Sequence, residues 1–161
     1  MWRTVLFAAM IGSFGAAAMA QETVLIIRHA EKAEGADPAL TDAGRLRALS
    51  WAQILGDSGV QAVVTSDARR TKETGAIIAA ALSIPQSDWP ADDSAGLIDF
   101  LSFDYEGETV LVVGHTETIP SMLRQLGVGY DIEIAQSAFD NLFIVSGIDA
   151  GQPSLMRLHM P

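Results

Sequence analysis

The sequence predicts one α/β domain: a three-layer sandwich with a largely parallel central sheet and helices on both faces. Three observations carry this. Short apolar runs alternate with stretches of helical periodicity, as in sheets whose strands are joined by helical crossovers. The runs at 24–27, 62–64 and 109–113 are continuous rather than alternating, as strands covered on both faces require. Residues 21–161 have ordinary one-domain length, and no repeat, low-complexity tract or linker divides them.

Residues 1–20 read as an export leader. Arg3 supplies the positive start, residues 5–14 the apolar stretch, and Ala18-Met19-Ala20 a small-x-small cleavage site before Gln21. A bilayer span needs about 20 apolar residues, and Gly12, Ser13 and Gly15 interrupt this shorter stretch, so no stable membrane insertion is expected. Cleavage near Ala20 would release the protein into the periplasm or outside the cell. The chain has no cysteine, which excludes a lipidated anchor, a disulfide framework and a thiol nucleophile.

The first strand, 24–27, leads into a polar loop at 31–40. Thr41 caps a helix to about Leu55, with Leu46, Leu49 and Ile54 on its inner side and Gly56 ending it. After the second strand, 62–64, Ser66 or Asp67 caps a helix through about Leu82, stopped ahead of Pro85. Residues 86–94, with Pro90 and three aspartates, read as a surface loop, and 96–103 as a short helix. The third strand, 109–113, precedes a helix that begins at Thr118 with Pro120 in its first turn and ends at Gly127. Residues 141–145 and 155–159, separated by a glycine-rich turn, are strands at a sheet edge. Trp51 and Trp89 are packing or loop anchors, and His159, with no partner motif, is structural.

The formal net charge is −10, and the remainder after the leader, which carries Arg3, is more acidic still. Such a body repels nucleic acid and anionic membrane, so neither is expected as a partner. A bound anion must meet a local basic pocket. The three apolar strands are each followed at once by a polar group: Arg28-His29, Ser66 to Arg70, and Gly114-His115. In a parallel sheet the carboxyl ends of strands share one edge, so these groups converge where such folds bind ligands. Arg69, Arg70 and Lys72 also occupy the first turn of a helix, where cations are disfavoured by roughly 0.3–1 kcal/mol each. Local rules are broken in this way at functional sites. Free N–H groups and an arginine fork together suit a doubly charged oxyanion. Arg70 is the candidate, and Arg69 and Lys72 read equally well as a solvated basic face.

The pattern Arg28-His29-Ala30-Glu31, Leu40-Thr41-Asp42-Ala43-Gly44, Ser66-Asp67-Ala68-Arg69-Arg70-Thr71-Lys72-Glu73-Thr74 and Val113-Gly114-His115 resembles the histidine phosphatase (phosphoglycerate mutase-like) superfamily. The resemblance spans about residues 23–126. It implies that His29 is a phosphorus nucleophile, that Arg28, Arg70 and His115 bind phosphate, and that His115 is also catalytic. It implies a small-molecule or envelope phosphomonoester as substrate, since exported relatives act on phosphorylated envelope sugars. Ala30 stands where many members have glycine.

The chemistry is coherent on its own terms. An imidazole of ordinary pKa is largely neutral at pH 7 and attacks phosphorus without thiol, metal or cofactor. Arg28, Arg70 and a protonated His115 would hold the phosphoryl oxygens. For the proton donor to the leaving group, Glu31, Asp93, Asp99 and Glu117 are candidates. Glu31 is favoured because it lies two residues beyond the nucleophile and faces the same side of an extended chain. The short spacing from Arg70 to His115 leaves no room for an enclosing insertion, which favours hydrolysis over transfer between carbons.

Two other readings compete. The pairs His29-Ala30-Glu31 and His115-Thr116-Glu117 could bind zinc as a metal-dependent hydrolase, though Arg28 and Arg70 would repel the ion. Alternatively the chain is a catalytically inactive anion-binding module that keeps the pocket and lacks a competent acid.

Overall fold

The computed structural model describes residues 23–148 and 150–160; the predicted leader and its cleavage site lie outside them. The elements run β1 (Thr23–Arg28), α1 (Asp42–Leu55), β2 (Ala62–Ser66), α2 (Arg69–Leu82), β3 (Gln86–Trp89), α3 (Ser94–Asp104), β4 (Thr109–Gly114), α4 (Ile119–Gln125), β5 (Asn141–Ser146) and β6 (Ser154–His159). They form one mixed sheet in the order β3-β2-β4-β1-β5-β6. The pairings among β1 to β4 are parallel, and β5 and β6 add an antiparallel hairpin beside β1.

The side-chain period of two divides each apolar run between two cores. Leu25, Ile27, Val63, Leu111 and Val113 face α1 and α2, meeting Trp51, Leu55 and Ile78. Val24, Ile26, Val64, Val110 and Val112 face α3 and α4, meeting Leu97, Leu101, Ile119 and Leu123. Both faces are covered, which accounts for the unbroken runs in the sequence. Trp51 is a core residue, and Trp89 stacks on Phe100 with ring centroids 4.9 Å apart.

Three expectations need correction. The inner side of α1 is Gly44, Ala48, Trp51, Ala52 and Leu55, while Leu46, Leu49 and Ile54 are exposed. The small residues win because the helix lies close to the chain beneath it: a Cβ on Gly44 would collide with the backbone carbonyl of Glu31. Residues 86–89 are an edge strand rather than loop. β3 pairs with β2 alone and stays half exposed, so no apolar pattern is demanded of it, and Asp88 earns its place by accepting from Thr65 at 2.9 Å. Neither Ser66 nor Asp67 caps α2. The cap position is Ala68, and the free Arg69 N–H donates instead to Asp37 Oδ1 at 2.9 Å, across from the loop. Gly56 does cap α1, but in a right-handed conformation; the chain reverses at Gly59, with φ 77°.

Candidate active site

The sheet order sets the site. β2, β4 and β1 are neighbours, and Arg28 is opposite Gly114 in register, with the His29 N–H bonded to the Gly114 carbonyl at 2.9 Å. Ser66, His115 and His29 therefore stand side by side at the carboxyl ends of three adjacent strands. The two imidazole centroids are 5.3 Å apart, and both rings are buried.

His29 Nδ1 lies 2.8 Å from the Ala30 carbonyl, which can only accept. That contact assigns the proton to Nδ1 and leaves a lone pair on Nε2. Ala30 is wholly buried, its N–H donating to Thr74 Oγ1 at 3.1 Å, so the methyl group that replaces glycine is accommodated. The Thr74 hydroxyl donates in turn to the Arg70 carbonyl at 2.8 Å, tying the end of β1 to α2.

His115 has the complementary arrangement. Arg70 Nη2 donates to its Nδ1 at 3.2 Å, so Nε2 carries the proton and donates to Ser66 Oγ at 2.7 Å. Ser66 then donates to Thr71 Oγ1 at 2.7 Å, and Thr71 to the Ala68 carbonyl at 2.7 Å. Ser66 Oγ also accepts from the Ala68 N–H at 3.4 Å, so the chain of hydroxyls is anchored on the backbone.

Arg28 is 7 % exposed. Its Nη1 donates to the Gln136 carbonyl at 2.6 Å and the Ala138 carbonyl at 3.4 Å, and its guanidinium lies 4.0 Å from the centre of the Phe139 ring. Phe139 also meets the His29 ring at 6.1 Å, so the segment 136–139 forms a wall beside both residues. Buried Nε atoms of Arg28 and Arg70 have no hydrogen-bond partner among the described residues. Leaving a charged donor unsatisfied is costly, and two of them beside two imidazoles suit an oxyanion. Arg69 and Lys72 are otherwise engaged, pairing with Glu73 and Asp88.

Burial pushes His29 down to about 4, aided by the charges of Arg28, His115 and Arg70 against the opposing pull of the Ala30 carbonyl. His115 is likewise pushed down to about 4 by burial and then Arg70, with Glu117 pulling the other way. The expectation of a protonated His115 is therefore corrected for the free protein: a cation there would face Arg70 Nη2. Because both folded-state values lie below the unfolded value near 6.5, the unfolded chain binds more protons between pH 6.5 and 4, and folding stability falls as pH drops through that window. An NMR titration should find both imidazoles neutral down to about pH 4. Orthophosphate should raise the midpoints by adding negative charge. Ordinary titration near 6.5 without phosphate would contradict this account.

Glu31 does not serve as expected. Its carboxylate forms a bidentate pair with Arg47, with Nε 2.7 and 2.9 Å from the two oxygens and Nη2 2.6 Å from Oε1. Burial raises its pKa, but the hydrogen bonds and charge of Arg47 outweigh that and hold it below the usual carboxylate range. The extended-chain reasoning failed because α1 presents Arg47 to that side chain. Replacing Glu31 with Gln should then lower turnover of aryl and alkyl phosphates by the same factor; a larger loss for the alkyl ester would restore the proton-donor role. Asp93 caps α3 by accepting from Gly96 N at 2.8 Å, and Asp99 is exposed on that helix. Glu117 accepts from Gln136 at 3.0 Å, which also keeps its pKa low. The two His-x-Glu pairs do not assemble a metal centre: among the described residues no group of three His, Asp or Glu side chains is arranged to hold an ion. His159 pairs with Asp140 at 3.1 Å, a structural contact at the far strand.

Sequence reasoning missed the Ser66–Thr71 chain, Asp37 and the 136–139 wall. Ser66 and Thr71 stood inside the recognised motif and were read as a cap and a spacer. The segment after Gly127 has no periodicity, and nothing in it announces that its carbonyls and ring would hold Arg28.

Comparisons with known proteins bear on the fold that carries this site. The profile of the histidine phosphatase superfamily (branch 1) matches residues 24–91. A solved structure named as a phosphohistidine phosphatase, SixA, from Agrobacterium tumefaciens superposes with a TM-score of 0.65 at 19 % identity, covering 86 % of this chain and 98 % of the other. A second, named likewise and from Nakamurella multipartitia, gives 0.59 at 25 % identity over 86 % and 96 %. A mutant phosphoserine phosphatase from Entamoeba histolytica, solved with phosphoserine, gives 0.63 at 16 % identity over 84 % and 95 %. No curated protein sequence matches the chain.

Proposed function

We infer from a chain that carries the fold and the branch 1 signature of the histidine phosphatase superfamily that it is a histidine-nucleophile phosphatase, hydrolysing phosphomonoesters through a phosphohistidine on His29. The observation that carries the reading is the Nδ1–H bond of His29 to the Ala30 carbonyl, which leaves Nε2 as a free lone pair beside the unsatisfied donors of Arg28 and Arg70.

In the reaction, Nε2 attacks phosphorus while the bond to the leaving oxygen breaks, and that oxygen takes the electron pair. Arg28 and Arg70 stabilise the remaining phosphoryl oxygens, and His115 joins them once the bound anion raises its pKa and protonates Nδ1, which then donates to phosphate instead of accepting from Arg70. Water then attacks the phosphohistidine, and the P–N bond breaks to release phosphate and restore the imidazole. Rapid quench of the purified protein with labelled aryl phosphate tests this directly. Acid-labile, base-stable label on His29 is the expected result; burst turnover with no labelled histidine would reject the covalent route.

The substrate is an extracytoplasmic phosphomonoester, either a small molecule or an envelope component, reached after cleavage near Ala20. The leader pattern of residues 1–20 supports that placement. Fractionation of the native producer with an antibody against residues 21–161 checks it. Full-length protein in the cytoplasm would refute the placement.

A further inference from the structure

The charges around the site are distributed unevenly. Arg28 is under the influence of Glu117 and Glu31, His115 under that of Glu117 and Asp67, and Asp37 Oδ1 lies 3.9 Å from Arg70 Nη1. Glu31 is matched by Arg47. The neighbouring cations are taken as well: Arg45 and Arg69 share Glu73, and Lys72, which also faces Asp67 and Asp37, has Asp88 at 2.6 Å. Two guanidinium groups are therefore left against Asp37, Asp67 and Glu117, all three exposed at the rim. Gln136 fixes one of these relations physically. Its carbonyl accepts from Arg28 and its side-chain amide donates to Glu117, so carboxylate and guanidinium are held by opposite ends of one residue.

A phosphate dianion uses both free guanidinium groups. Any further charge on the substrate then meets carboxylates, on a chain whose formal net charge is −10. A second anionic group finds Arg45, Arg69 and Lys72 already paired and only the exposed Lys32 of the following loop without an ion pair, whereas an ammonium meets three exposed carboxylates. We propose that the site selects phosphate monoesters whose leaving group carries a cationic amine close to the phosphate, with Asp37, Asp67 and Glu117 as the residues that discriminate. The proposal rests on the phosphatase reading for its phosphate site. It also fits the absence of a raised carboxyl at Glu31 or Glu117, because a positive charge near the leaving oxygen makes that oxygen easier to expel without a strong acid.

Binding and turnover test it separately. Calorimetry on the wild-type protein and on His29→Ala uses O-phosphoethanolamine, ethyl phosphate and phosphoglycolate, which are similar in size and differ in the charge beside the phosphate. Affinity should fall in that order, by roughly threefold per carboxylate at low ionic strength, and the differences should shrink at high salt. The paired change Asp67→Asn with Glu117→Gln should reduce the ratio of phosphoethanolamine to ethyl phosphate affinity. The same order should appear in kcat/KM for aryl phosphates of matched leaving-group pKa bearing trimethylammonio, neutral or carboxylate substituents. Equal or reversed order in binding overturns the charge selection even if turnover is normal. Correct order in binding with no His29-dependent turnover supports the selection and overturns the phosphatase reading instead.

Discussion

Replacing His29 with alanine should lower kcat/KM for an aryl phosphate by at least about a thousandfold while leaving inorganic phosphate able to bind. The asymmetry follows from how the site is divided. His29 contributes the lone pair on Nε2, and its tautomer is set locally by the Ala30 carbonyl. The anion is held by other residues: the unsatisfied Nε donors of Arg28 and Arg70, and His115, positioned through Ser66. Removing the imbalance of one buried ring also leaves space, and binding of orthophosphate by calorimetry shows whether the pocket survives. Turnover that persists in His29→Ala with binding intact would place the nucleophile elsewhere. Binding without turnover in the wild-type protein itself would favour an inactive anion-binding module.

Replacing Arg70 with alanine should cost on the order of 10²–10³ in kcat/KM, the range for loss of one preorganised donor to developing negative charge. Arg70→Lys should recover only part of that loss, because a single ammonium cannot both donate to His115 Nδ1 and present a second donor to a phosphoryl oxygen, as the planar fork does. Two measurements separate this role from a merely structural one. The melting temperature should change little, because Arg70 keeps a side-chain exposure of 23 % and packs into neither core. The NMR midpoint of His115 should rise, since Arg70 is the leading charge depressing it after burial. An unmoved midpoint would mean that Arg70 and His115 do not meet in solution.

The legible parts of the molecule were those that elementary rules force. Unbroken apolar runs can only be strands covered on both sides, and parallel strands with polar residues at their ends bring those residues to one edge. That rule brings Arg28-His29, Ser66 to Arg70 and Gly114-His115 to one edge, and the family resemblance singles out Arg28, His29, Arg70 and His115 among them. What escaped was set by tertiary packing. The inner face of α1 was misjudged because Leu46, Leu49 and Ile54 are more apolar than Gly44 and Ala48, yet only small residues fit against the Glu31 backbone. β3 carries no apolar pattern because an edge strand needs none. Glu31 was misassigned for a related reason: the direction of its side chain could be guessed, but the arrival of Arg47 from a neighbouring helix could not. The Asp37 carboxylate at the start of α2 and the 136–139 wall depend on loops whose course no periodicity reveals.

β1, the strand that leads into His29, comes first among the described residues and lies inside the sheet, hydrogen-bonded to β4 on one side and β5 on the other. Thr23 finds its partners at Thr109 and Ser146, so β1 has no strand to pair with until β4 has been made. Its first pairing closes a long loop, which slows folding relative to chains whose contacts are local. The two imidazoles become neighbours only when β4 pairs with β1 and sets Arg28 opposite Gly114.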